Sequence, residues 1–186
     1  AILSNFADFV SRPWGGGWGG DAAGLVVVNA SHRNRIIGNS LTHGGDGFFL
    51  TNLVDLDDLK DIDDPATGAS NDNLIAYNDG SWSPHNAFEA TFSKGNIFLG
   101  NIASHSVYGF WCGFSNESFY FGNEVCDDET SGFTTEHGKG HVVEGNLFAR
   151  NPTGIDFGCG PKTGFPSRDQ TIRNNRTGAV GENRDD

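Results

Sequence analysis

Apolar side chains return in short alternating runs, each closed by an asparagine, and the interval between those asparagines hardly varies. Asn78, Asn101, Asn123 and Asn146 are separated by 23, 22 and 23 residues. The runs superpose as Arg35-Ile-Ile-Gly-Asn39, Asn96-Ile-Phe-Leu-Gly-Asn101, Phe119-Tyr-Phe-Gly-Asn123 and His141-Val-Val-Glu-Gly-Asn146, with weaker copies ending at Asn78 and Asn175. Eight or nine residues later comes a small residue and then a strand-like tetrad, as in Gly47-Phe-Phe-Leu50, Gly109-Phe-Trp-Cys112, Gly132-Phe-Thr-Thr135 and Gly154-Ile-Asp-Phe157. A repeat of 22–23 residues is too short for a helical hairpin, and period-two alternation of Ile, Val, Phe and Tyr predicts strands. The expected architecture is all-β: a parallel β-helix with two strands per coil, whose coils share one core at a spacing of about 4.8 Å.

Alternation also sets the register. Leu25, Phe48, Phe88, Phe110, Phe133 and Ile155 form one inward column, and Ile36, Ile75, Phe98, Tyr120, Val143 and Ile172 another. The asparagines lie where one strand bends into the next, so their amides can bond from coil to coil. Three stretches break the period and read as loop insertions within a single 1–186 domain: residues 12–20, 52–73 and 158–167, all rich in turn-forming residues. Insertions in a solenoid tend to wall a binding groove.

At these repeats the chain resembles the right-handed parallel β-helix superfamily, which includes pectate-lyase-like enzymes and periplasmic copper-maturation proteins of the NosD type. The resemblance rests on the I-x-x-N then G-[FI]-x-[apolar] alternation, and it implies export to an extracellular or periplasmic location. It leaves the chemistry open, because one fold hosts many functions.

Composition narrows that choice. Twenty-four acidic residues against twelve basic ones give a net charge of −12, which disfavours nucleic acid and anionic membranes as partners. No apolar run is long enough for membrane insertion. An acidic polymer would need a bridging cation, and Ca²⁺ is the candidate cofactor. Oxygen-rich runs occur at Asp55, Asp57, Asp58, Asp61, Asp63 and Asp64, and again at Asp127, Asp128 and Glu129, although solvated acidic loops have the same composition. Cys112, Cys126 and Cys159 cannot all pair within one chain and show no zinc-ligand spacing. Neither end shows a capping helix, so an oligomer or the remainder of a longer chain is expected to cover the terminal coils.

The outward columns of the tetrad strand are where chemistry is expected. One runs Val26, Phe49, Glu89, Trp111, Thr134 and Asp156, and the next includes Thr51, Thr91, Gly113, Glu136 and Gly158. Glu136 and Asp156 on adjacent coils would lie about 8 Å apart, within the about 6.5–9.5 Å that separates the acid and base of inverting glycosidases. Glu89 is an alternative partner, and Trp111, Thr91, Thr134 and His105 would contact a sugar. His137 is the candidate base beside Glu136. His105 falls in a polar column with Asp127 and Arg150, and His43 occupies the same place in its own repeat. Arg and Lys are scarce on this wall, which weakens a lyase or epimerase reading, and the absence of methionine and of a His cluster leaves a copper role least favoured. The sequence thus points to an exported protein that engages a polysaccharide or oligosaccharide and hydrolyses it, with a noncatalytic scaffold or surface-binding module as the alternative.

Overall fold

The computed structural model describes residues 1–10, 22–52, 69–158 and 166–178. These form a right-handed parallel β-helix, in which every strand pairs in parallel with the equivalent strand of the next coil. Most of each predicted insertion lies outside the described residues. Sheet A stacks seven strands: Ile2–Leu3, Arg35–Ile37, Leu74–Ala76, Ile97–Leu99, Phe119–Phe121, Val142–Glu144 and Thr171–Arg173. Sheet C stacks six: Leu25–Val28, Phe48–Thr51, Asn86–Ala90, Tyr108–Gly113, Ser131–Glu136 and Thr153–Gly158.

The expectation of two strands per coil needs correction, because a third face exists. Sheet B comprises Glu124–Cys126, Leu147–Ala149 and Arg176–Gly178, and single bridges through Ser40, Asp79 and Ile102 extend it towards the N-terminus. Among the described residues strands form on this face in only three coils, and their middle residues, Val125, Phe148 and Thr177, share no recurrent motif, so the face leaves almost no periodic signal. Both predicted inward columns are paired residue for residue, from Leu25 to Ile155 and from Ile36 to Ile172. Phe48, Phe88, Phe98, Phe110, Tyr120 and Phe133 are fully buried. Phe98 stacks on Tyr120 at 4.9 Å and meets Phe110 edge-on at 5.7 Å, so neighbouring faces interlock across the core.

Each corner of the coil carries its own axial ladder. Asn5, Asn39, Asn78, Asn101, Asn123, Asn146 and Asn175 form the longest, in which each Oδ1 accepts the backbone N–H of the preceding asparagine at 2.8–2.9 Å. The same oxygen accepts the preceding side-chain amide, while each buried Nδ2 also donates to a carbonyl one coil back, as Asn101 does to Ile75. All four hydrogen-bonding positions of an interior amide are thereby used. A second corner runs Asn73, Asn96, Ser118, His141 and Gln170, and a third runs Ser83, Ser106, Asp128 and Asn151. The residue before each asparagine of the first ladder has positive φ, which explains the recurrent Gly-Asn pair at Gly38, Gly100, Gly122 and Gly145.

Asn101→Ala would strand the Asn78 donors and the Ile75 carbonyl in the interior. The expected loss is about 3 kcal/mol, comparable to that from Phe98→Ala, at about 3–5 kcal/mol. Thermal unfolding followed by circular dichroism should rank both far below any exposed-site variant.

Candidate metal centre

Sheet C carries the predicted outward column in register, Glu89 beside Trp111, Trp111 beside Thr134, and Thr134 beside Asp156. The wall is not uniformly open. Phe49, Glu89, Thr91 and Thr134 are buried, Trp111 and Glu136 are half-buried, and Asp156 is exposed. The deepest polar cluster lies where the chain enters this sheet. There Asp46, His85 and Glu89 bring ligand atoms within 4.8 Å of one another.

Local structure explains the convergence. Asp46 immediately precedes the small residue Gly47 of one coil, and Asn86 holds the equivalent place on the next, with its N–H donating to Asp46 Oδ1 at 2.9 Å. His85 Nδ1 lies 3.0 Å from the same oxygen, and Asn86 Nδ2 donates to Glu89 Oε2 at 2.6 Å. The second oxygen of Asp46 has no partner, although the residue is fully buried. Burial, and then the charge of Asp46, pushes the Glu89 carboxyl up to about 8. The hydrogen bond to Asp46 is the main influence raising the His85 pKa. Asp46 and Glu89 set carboxyl oxygens beside the His85 imidazole with one acceptor left over, a donor set that a cation would occupy by displacing the protons of Glu89 and His85. The His85 side chain retains 41% exposure and supplies the route to solvent.

The other predicted residues are dispersed. Glu136 lies across Gly158, whose added Cβ would stand 2.9 Å from Glu136 Cγ, and so it sits two positions along from Asp156 on the neighbouring strand. Thr91 Oγ1 donates to Thr51 Oγ1 at 3.0 Å. The chain does turn at His137, which has positive φ, but its buried ring stacks on Phe114 at 4.4 Å in a corner ladder with Phe92. His43 and His105 share a column with Phe9 and Trp82, which stack in the order Phe9, His43, Trp82, His105. Asp127 and Arg150 continue that column as an ion pair. Every member of it has positive φ.

Of the acidic runs, Asp55 to Asp64 lie outside the described residues. Asp127 and Asp128 diverge rather than forming a calcium cradle. Asp127 faces Arg150 at the surface, whereas Asp128 is buried in its corner ladder, accepting the Ser106 N–H at 3.0 Å.

Fold and corner together define an all-β solenoid with a buried N/O donor cluster. Residues 20–176 match the family described as periplasmic copper-binding protein (NosD), and the chain belongs to that family. Membership carries an extracellular or periplasmic location. A search of curated proteins gave no match. Among the described residues no helix is long and apolar enough to cross a membrane.

Copper coordination can be tested against this donor set. One imidazole and two carboxylates suit Cu(II), which takes N and O ligands, and not Cu(I), which prefers sulfur. The chain has no methionine. The Cys112 thiol is sealed in the core, where it accepts the Tyr120 hydroxyl at 2.9 Å and burial raises its pKa. The family's description names copper, the metal role that the sequence favoured least, and the unpartnered Asp46 oxygen is a donor atom that a divalent ion could use.

Sequence reading found Glu89 but missed Asp46, His85 and Asn86. The detectable signal was His85-Asn-Ala-Phe-Glu89, an imidazole four residues before a carboxylate at the start of a strand. Asp46 was hidden because it precedes the small residue of its coil, outside the alternating strand on which the columns were built.

Burial pushes the Asp128 carboxyl from 3.8 up to about 8, so its favourable contribution is complete below the unfolded value and is lost as pH rises through 8. Asp128→Asn keeps an oxygen for Ser106 and removes this titration. Relative to the variant, the wild type should lose thermal stability steadily between about pH 4 and pH 8, each kcal/mol lowering the midpoint by about 2–4 °C.

Proposed function

We propose that this chain is a noncatalytic, exported β-helix module that holds a divalent cation, Cu(II) in keeping with its family, at Asp46, His85 and Glu89. The observation that carries the reading is the unpartnered Asp46 oxygen beside a second carboxylate in a closed corner. His85 would supply the nitrogen ligand and the carboxylates the oxygens, while Asn86 fixes Glu89 and the backbone N–H of Asn86 orients Asp46. A bound cation would take the place of the proton that burial favours on Glu89. The residues' own part is to hold ligand atoms in place on paired strands, which limits the reorganisation needed on binding.

Titration with Cu(II), read by calorimetry and electron paramagnetic resonance, should give one tight site with a single-imidazole signature. His85→Ala and Glu89→Gln should each weaken it by about tenfold or more, a loss of at least about 1.4 kcal/mol. Unchanged affinity in both variants defeats the assignment.

A second reading is kept for the open end of sheet C, favoured by Trp111 standing half-exposed beside the glycine gap at Gly113, with Glu136 and Asp156 on the coils beyond. A polysaccharide or oligosaccharide would stack on Trp111 and bond to the two carboxylates, with hydrolysis as the finer possibility. Trp111→Ala should abolish retention on the polymer that the wild type binds without altering its melting curve, and Glu136→Gln with Asp156→Asn should spare binding if the pair is catalytic. A polymer panel that is neither bound nor shortened excludes this reading and leaves the cation site untouched.

A further inference from the structure

The outer face of sheet A presents two side-chain columns to solvent, and their central coils are apolar. One column passes Arg35, Leu74, Ile97, Phe119 and Val142, and the other passes Ile37, Ala76, Leu99, Phe121 and Glu144. Ile97, Phe119 and Phe121 are 41%, 46% and 49% exposed, a density of uncovered large hydrophobes that marks an interaction surface rather than ordinary scatter. Within these columns charge falls at the ends, with Arg35 on the second coil and Glu144, bonded to Arg173, on the sixth and seventh, while the Lys94–Glu117 ion pair borders the central coils beside Phe119.

We infer that this face is the interface of a two-fold homodimer centred on the Ile97–Leu99 strand. The first argument is period. Rows of side chains repeating at the strand spacing of about 4.8 Å fit most closely against rows of the same spacing, as in stacked sheets. The second is shape. A two-fold axis along the central strand sets the third coil against the partner's fifth, so the bulky, exposed Phe121 of one copy lies opposite Ala76 of the other, the smallest and most buried side chain of its column. Leu74 faces Phe119 in the same way, and Ile97 and Leu99 meet their own counterparts.

The third argument is charge. The same axis sets the second coil against the sixth, so Arg35 of one copy lies diagonally opposite Glu144 of the other, one strand-neighbour step away. A groove of about 430 Å³ lined by Leu3, Arg35 and Ile37 is positioned to receive that end of the partner. The alternative two-fold axis, along the solenoid, would bring each charged coil against itself and oppose the two large exposed rings Phe121 and Phe119. An anionic lipid surface is disfavoured by the net charge of −12.

Light scattering on the full chain should give twice the 19.9 kDa chain mass at micromolar concentration. Ile97→Lys, at a half-exposed position, should yield monomer with an unchanged circular dichroism spectrum and a melting midpoint that no longer rises with protein concentration. Ala76→Phe and Phe121→Ala should each weaken association by about tenfold or more, and the double variant, which exchanges the large and the small residue across the axis, should recover most of the loss. A monomeric wild type overturns the inference, as does a dimer indifferent to Ile97→Lys. Monomer that instead binds zwitterionic phospholipid vesicles assigns the face to lipid and overturns it too. Should Ala76→Phe melt early, Phe121→Ala and Ile97→Lys alone still decide the question.

Discussion

Inward-turned polar side chains at the corners are the constraint on which this solenoid depends. A strand can propagate from coil to coil by backbone pairing alone, but at a bend the peptide groups lose that pairing and would be buried without partners. Here the side chain of the next coil supplies the acceptor. In the first corner the supplier is asparagine throughout, because only a primary amide offers an acceptor for two donors and two donors of its own at so short a reach. Substituting the ladder's chemistry at the second and third corners with serine, histidine, glutamine and aspartate keeps the acceptor and changes the rest.

Those substitutions carry electrostatic consequences. His141 serves as acceptor through Nδ1, and burial lowers its pKa to about 4, so it remains neutral in order to fill its place. Asp128 accepts in the same manner while burial favours its protonated form. The Asp46–His85–Glu89 corner extends the theme outward: one Asp46 oxygen accepts from the neighbouring coil as a ladder residue would, and the other is spare. A structural hydrogen bond has thus brought a potential ligand into position.

Most of the fold was legible in the sequence because the strands of sheets A and C recur in nearly every coil and the asparagine interval is nearly constant. Both inward columns followed from those facts. The third face was not legible, since among the described residues strands form there in only three coils and their middle residues, Val125, Phe148 and Thr177, share no motif. The outward column on sheet C was also placed correctly, yet its burial at Glu89 and Thr134 was invisible: register says which way a side chain points and nothing about what lies over it. Glu89 stood out by its column, whereas Asp46 and His85 occupy the approach to the strand, where alternation has not begun. Family membership then altered the chemical expectation in a way that residue counts, with methionine absent, argued against.

The column Phe9, His43, Trp82, His105, Asp127 and Arg150 has a different implication. Its rings spend their flat sides on one another, offering only rims to the outside, and every residue adopts the same left-handed backbone whatever its side chain. Backbone shape there is dictated by the coil and not by the letter written on it. Such a ridge can exchange aromatic, imidazole, acid and base freely during divergence, so the solenoid can acquire a new surface without having to learn a new fold.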